Sequence, residues 1–129
     1  MAWGNFVYDS GFQAAAQIVK FRCVKMTAAE VVGPVSGITD VAIGVAQFGV
    51  TTAELAKGKL ASVRVIGVSE VEAAGAIAVG ARCQVEADGR VSAEVGSSGK
   101  RLVGICVGAP STNAGDRVAM LVLVGLGLA

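Results

Sequence analysis

The acidic side chains are the residues best suited to acid–base chemistry in this sequence, because it has ten Asp and Glu residues but no histidine. Histidine is the usual general base and a common metal ligand. Glu86, Asp88 and Glu94 alternate with apolar residues or lie at a turn, which is the pattern of a solvated strand face. The sequence therefore indicates no catalytic pair of carboxylates, and we expect the protein not to be an enzyme.

One glycine-rich stretch, residues 96–100 (GSSGK), resembles part of a phosphate-binding loop. The full motif needs a glycine where Glu94 stands and a Ser or Thr where Arg101 stands, and it should open a helix. The stretch is better interpreted as a connection between strands. We expect no nucleotide, and no other cofactor, to bind here.

The three cysteines, Cys23, Cys83 and Cys106, are widely spaced and form no CxxC pair. Neither a zinc site nor a disulfide framework is indicated. Each lies among apolar neighbours, where a free cysteine behaves as a small buried hydrophobe. We predict three unpaired, buried thiols and no metal.

Charge and composition exclude two classes of partner and favour a third. The net charge is +1 and the longest basic run is Lys100-Arg101, so the sequence lacks the cationic footprint of a nucleic-acid-binding protein. The longest apolar run, residues 118–129, is too short to cross a bilayer. Only 16% of residues are charged, against a usual value of about a quarter. Because this leaves little polar surface for a monomer, the composition favours a protein that hides apolar faces against partners.

Alternation with period two predicts an all-β fold: a small sandwich or barrel of short antiparallel strands with little helix. Residues 83–95 form the clearest hairpin, with a type I′ turn expected at Asp88-Gly89. Around residues 18–26 the alternation places Lys20 and Arg22 together on a basic strand face. The two candidate helices begin at Thr51, which Glu54 follows as in a capping box, and at Ser10, through the stretch FQAAAQ.

A strand–turn–strand phrase occurs twice, at residues 42–67 and 102–125. The strands VAIGVAQ and VAMLVLVG of these phrases carry apolar or small residues on both of their faces. We therefore expect these strands to be covered on both faces, by another sheet or by another subunit. Leu121 and Leu123 are the candidate residues for contact with a symmetry mate.

Large aromatic residues are concentrated near the N-terminus, where five of the six lie within the first 21 residues. Residues 1–17 are predicted to be an aromatic arm and residues 18–129 the β domain. The arm's rings, Trp3, Phe6, Tyr8 and Phe12, suit an interface because each buries a large area. The alternative is that the segment plugs its own barrel. Should the arm not be the anchor, Lys20 and Arg22 are the next candidates.

The order of motifs is similar to that of phage head decoration, or capsid cement, proteins. The similarity rests on residues 42–47 (AIGVAQ), residues 76–80 (AIAVG) leading into 84–91 (QVEADGRV), residues 103–105 (VGI) and residues 114–118 (AGDRV), and it covers roughly residues 18–125. The stretch TTAELAK at 51–57 departs from the commoner pattern.

The resemblance implies a compact all-β domain, usually trimeric, that is made in the host cytoplasm. It would bind the major capsid protein on the outside of the assembled head and stabilise the head, without nucleic-acid or membrane partners. A structural β module of a tail or surface layer, and a ligand-binding barrel or enzyme subunit, remain as alternatives.

Overall fold

A computed structural model describes residues 7–124 and 127–128 of the chain. Within these residues the protein is all-β, as predicted, with nine strands and one short helix. The elements are β1 (Tyr8–Ala14), β2 (Cys23–Ala28), β3 (Val31–Pro34), β4 (Ala42–Ala46), α1 (Thr52–Ala56), β5 (Ala61–Glu72), β6 (Arg82–Val85), β7 (Val91–Ala93), β8 (Leu102–Cys106) and β9 (Arg117–Val122).

Five strands close into a barrel in the order β1-β3-β2-β4-β5, with β5 pairing back onto β1. The β1–β3 pair is parallel and the others are antiparallel. Closure leaves this part of the chain without an open sheet edge, which is the usual site of unwanted strand addition.

The long strand β5 also begins a second, antiparallel sheet in the order β5-β9-β8-β6-β7. Its first half pairs with β1 as far as Ile66, and from Gly67 onward it pairs with β9. Gly67 has a φ of 109°, a left-handed conformation that favours glycine. The strand therefore changes partners where glycine relaxes the steric limits on the backbone.

Two separate apolar cores result. One fills the barrel and includes Val24, Ala46 and Val63; the other lies between the barrel wall and the second sheet and includes Val45 and Met120. Strand β4 contributes alternate residues to both cores, so the prediction that VAIGVAQ is covered on both faces is confirmed. Its second cover is a sheet of the same chain.

The repeated phrase folds into two equivalent hairpins, β4–β5 and β8–β9. Val45 pairs with Arg64 in the first, and Ile105 pairs with Leu121 in the second. In each hairpin a glycine two positions into the phrase approaches the facing strand so closely that a Cβ atom would meet its backbone carbonyl oxygen: Gly44 against Arg64 and Gly104 against Leu121. The duplication in sequence is thus a duplication of structure.

Two predicted secondary structures are wrong. The stretch from Ser10 through FQAAAQ is not a helix but most of β1, because pairing with both β3 and β5 closes the barrel and overrides the helix propensity of Ala and Gln. The strand predicted from residue 18 starts only at Cys23. Phe21 has a φ of 60°, which breaks the alternation and places Lys20 and Arg22 at a turn rather than on one strand face.

The helix predicted at Thr51 and the hairpin at 83–95 are both present. Thr51 and Glu54 form the expected capping box around α1. The hairpin's turn, however, is not type I′, because Gly89 has a positive φ and Asp88 does not. Glu86 donates its N–H to Arg90 O, so the loop has three residues and ends on the left-handed glycine.

Candidate functional site

The thiols are free and buried, as predicted. Burial raises the pKa of Cys23 to about 12, and it raises that of Cys83 to the same value. Since the thiolate is the reactive form, these side chains are inert at neutral pH. Cys106 lies in the same core, so the cysteines serve packing.

Several carboxylates are occupied in holding loops. Asp40 accepts hydrogen bonds from Lys25 Nζ at 2.8 Å and from the backbone N–H of Ser36 at 2.9 Å, and these contacts lower its pKa to about 2. Asp116, before β9, likewise accepts hydrogen bonds from the backbone N–H groups of Asn113 and Thr112, and these lower its pKa. Each of these carboxylates fixes the turn that precedes a strand.

Metal-binding geometry is not found in the part of the chain that the structure describes. No three Cys, Asp or Glu side chains among the described residues are placed to hold a metal ion. Within the same residues, no helix is both long and apolar enough to cross a membrane. The candidate site is instead a surface of the second sheet.

That surface is the outer side of the second sheet, which we call the open face and define by Ile66, Val68, Ile105, Ala119 and Leu121. The strand registers place Val68 beside Leu121, and Leu121 beside Ile105. The opposite side of β9 is fully buried, but Leu121 and its neighbours on the open face are only half-buried, and Ile66 is 59% exposed. Among the described residues, strand β9 is therefore fully covered on one face and only partly covered on the other.

Ion pairs flank the open face on two sides. Arg64 Nε lies 2.8 Å from Asp9 Oδ1 on the β1 side. Arg82 pairs with Glu94 at 2.8 Å on the β6 side, and Arg82 is itself the cross-strand neighbour of Ile105. An apolar centre with a charged rim is the usual composition of a protein–protein interface.

A group of cations marks the end of the sheet. Arg22 donates two hydrogen bonds to the Glu72 carboxylate, at 3.2 and 3.3 Å, and Arg90 lies 3.8 Å from the same group. The centroid of the Phe21 ring lies 4.7 Å from Lys20 Nζ and 4.6 Å from Arg117 Cζ. These contacts tie the barrel to the second sheet.

The predicted interface residues fall in different surroundings. Tyr8 is exposed and pairs across β1 and β5 with Ile66, so it extends the open face that Leu121 centres. Leu123 is half-buried just after β9. Phe12 packs against the barrel core.

The predicted arm is described only in part. Its residues 8–14 are strand β1 of the barrel. Trp3 and Phe6 lie outside the described residues, and a separate docking segment stays a prediction for residues 1–6.

Sequence reasoning missed two kinds of surface residue. Val68 and Ile105 come from strands other than β9, and only the sheet order brings them beside Leu121. Phe48, which is 60% exposed between β4 and α1, is not among the predicted interface residues because it stands apart from the other aromatics. An isolated aromatic in a short loop is a signal that could have identified it.

The fold and this surface define an all-β barrel protein that carries an apolar sheet face. The chain belongs to the phage cement protein family, whose sequence model matches residues 5–123. It is thus a structural protein of the phage capsid, as its motif order suggested.

The chain is also similar in structure to the N base of the head fiber protein gp8.5 of bacteriophage phi29. The match has a TM-score of 0.65 and 16% sequence identity, and it covers 92% of this chain and 95% of that one. At this identity the likeness shows the fold. No curated protein matches the chain in sequence.

Proposed function

We propose that this protein binds the outer surface of the assembled phage head, contacts the major capsid protein there, and stabilises the head as a homotrimer. The observation that carries the proposal is the open face: an apolar, half-exposed surface on one side of β9, rimmed by charges, in a protein of the cement family. Such a surface is costly in water and is removed from it by a partner. The role is adhesive, and it requires no catalysis and no cofactor.

Stabilisation of this kind follows from differential binding. A protein that binds the assembled lattice, but not the free coat subunit, shifts the equilibrium toward the lattice by its binding free energy. Occupancy of many equivalent sites multiplies a modest gain per site. The aromatic residues Trp3, Phe6 and Tyr8, together with Lys20, are the side chains that we propose for contact with the coat.

Heads prepared with and without the protein would test the proposal. We expect electron microscopy to show added density on the outside of the head, and calorimetry to show that the decorated shell melts at a higher temperature. Free coat subunits are the control and should bind weakly. Equal affinity for free subunits and heads, or an unchanged melting temperature at full occupancy, would contradict the mechanism.

A further inference from the structure

The loop between β4 and α1 carries an aromatic ring that the fold leaves exposed. Phe48 is 60% exposed, and Val19, on the neighbouring segment, is 43% exposed. The loop backbone is nevertheless fixed, because Val50 exchanges backbone hydrogen bonds of 2.9 and 3.0 Å with Ile18. An ordered loop that presents a large ring to water is the kind of surface from which aromatic side chains enter a partner's pocket.

Lys20 lies opposite Phe48 on that neighbouring segment. Ile18 and Val50 form an antiparallel bridge, and the β2–β4 ladder continues in the same register. Two residues along from the bridge, this register brings Lys20 opposite Phe48. The backbones are close there, since a Cβ atom built on Gly49 would lie 3.8 Å from Lys20 N. The chain pairing therefore sets an exposed cation beside the exposed ring.

Two further lysines come from the end of α1 and the turn after it. Lys59 Nζ donates a hydrogen bond of 3.1 Å to Gly49 O in the same loop and pairs with Glu54 at 2.7 Å. Lys57, the C-cap residue of α1, is exposed. Among the described residues, Lys20 and Lys57 have no ion-pair partner, and Glu54 is the only carboxylate paired with any of the three lysines. Three ammonium groups and one carboxylate leave an excess of two positive charges.

The ion pairs between this region and the second sheet do not cancel the excess. Arg22 pairs with Glu72 at 3.2 Å, and Arg90 pairs with Asp88 at 2.7 Å. Each pair is neutral, so the positive excess around Phe48 remains.

We call this region the basic loop surface and define it by Val19, Lys20, Phe48, Lys57 and Lys59. Its positive excess favours an acidic partner, because opposite charges draw two surfaces together and like charges repel them. A second copy would bring the same excess and is disfavoured for that reason. Two unpaired cations beside one ring also fall short of the extended cationic track that nucleic acid requires. The chemistry that fits is a protein segment with carboxylates around an apolar pocket.

We propose that the basic loop surface binds an acidic segment of the major capsid protein, with Phe48 in an apolar pocket of the coat and Lys20 and Lys57 next to coat carboxylates. The inference rests on the proposed function, since it gives the coat contact a surface and a partner chemistry. It also explains why a large aromatic ring stays exposed on an ordered loop.

Carbodiimide cross-linking of decorated heads tests the partner chemistry, because this reagent joins an ammonium group to a carboxylate in contact with it. Mass spectrometry of the digest should identify amide bonds from Lys20 or Lys57 to Asp or Glu side chains of the coat. The intramolecular pair Lys100–Glu86, 2.8 Å apart, is the internal control for the reagent. A labelled single-stranded DNA should not bind the protein at physiological salt.

Variants test the ring and the charge separately. Phe48→Ser should weaken head binding about thirtyfold. Its matched control is Val79→Ser, in the loop before β6, because Val79 is 61% exposed and lies off the basic loop surface. Lys20→Gln should weaken binding about fivefold at low salt and lose this difference in about 0.5 M salt, whereas Lys20→Arg keeps the charge and should retain wild-type affinity. Circular dichroism with thermal melting verifies the fold of each variant.

Should Phe48→Ser fail to fold, the double variant of Lys20→Gln and Lys57→Gln tests the same surface through its charges alone. Coat cross-links confined to other lysines, or wild-type head binding by a folded variant of this surface, would overturn the inference while the proposed function stands. Binding of the labelled DNA that Phe48→Ser removes would assign the surface to nucleic acid and overturn it too. A wild type that does not bind heads would instead contradict the proposed function, and the inference with it.

Discussion

The close glycines of the two hairpins, Gly44 and Gly104, should be nearly irreplaceable even by alanine. A Cβ atom at either position would lie well inside 3.0 Å of a backbone carbonyl oxygen on the facing strand, and also within 2.9 Å of Val63 Cγ1 in the first case and 2.6 Å of Met120 Cγ in the second. A side chain can rotate away from such a clash, but a backbone oxygen in a ladder cannot. The strands must separate, which disturbs packing on both sides of them.

Overpacking of this kind costs about 2–3 kcal/mol per substitution. For a domain of this size roughly 4 °C of melting temperature corresponds to 1 kcal/mol, so we expect Gly44→Ala and Gly104→Ala each to melt about 8–12 °C lower. The control is Gly96→Ala, since a Cβ atom there meets nothing within 4 Å and the backbone is not left-handed. That variant should be neutral or gain up to about 0.5 kcal/mol by restricting the unfolded chain.

Chemical and thermal unfolding, followed by circular dichroism, measure these differences. Gly44→Ala and Gly104→Ala should lose similar amounts, because the two hairpins are equivalent. If either variant melts within about 2 °C of the Gly96→Ala control, the close strand approach, and with it the structural equivalence of the hairpins, is refuted.

Three further outcomes can be measured. Replacing any one of the three cysteines with alanine should lower the free energy of unfolding in denaturant by about 1 kcal/mol or somewhat more and leave head binding intact; the variants are Cys23→Ala, Cys83→Ala and Cys106→Ala. The native wild type should resist alkylation of its thiols until it unfolds. Rapid alkylation of the native protein would contradict their burial. The pKa of Asp40 is lowered from 3.8 to about 2 by its hydrogen bonds, so its contribution to stability is present above pH 4 and is lost as the pH falls toward 2. Asp40→Asn should therefore lessen the dependence of the unfolding free energy on pH between pH 4 and 2. An equal pH dependence in the variant and the wild type would contradict this. Deletion of residues 1–6 should leave the melting temperature nearly unchanged. It should weaken head binding about thirtyfold or more, if one aromatic side chain that contributes about 2 kcal/mol to the binding free energy is lost. Unchanged saturation of heads by the shortened protein would show that the anchoring residue lies elsewhere.

Local patterns in the sequence identified elements whose determinants are local. The alternation from Cys83 to Val95 and the Thr51–Glu54 pair fixed a hairpin and a capped helix, because their stabilising contacts are between near neighbours. The turn type failed for a related reason: whether Glu86 and Arg90 close the loop depends on a hydrogen bond that the dipeptide Asp88-Gly89 does not specify.

Features that depend on distant partners could not be obtained in this way. The stretch from Ser10 through FQAAAQ was predicted to be a helix, but residues 10–14 form part of a strand because β5, more than forty residues later, closes the barrel against them. Phe21 breaks an otherwise regular alternation because its N–H must reach Ala46 O and its carbonyl must accept from Glu72 N. The same limit applies to the open face. Leu121 could be identified from the sequence of β9 alone, whereas Val68 and Ile105 could be added only once the order of strands in the sheet was known.

The comparison of β4 with β9 explains why a duplicated phrase can serve two purposes. Both strands are apolar on two faces, which the sequence shows equally well for each. The chain supplies a second sheet to cover β4, and that sheet contains β9, whose own outer face has no further layer over it among the residues that the structure describes. When two such hairpins pack one on the other, the outer face of the second needs either polar residues or a further layer to cover it. Arg64 shows that this position of the hairpin accepts a charged side chain, and Leu121 is the apolar residue at the equivalent position of the second hairpin.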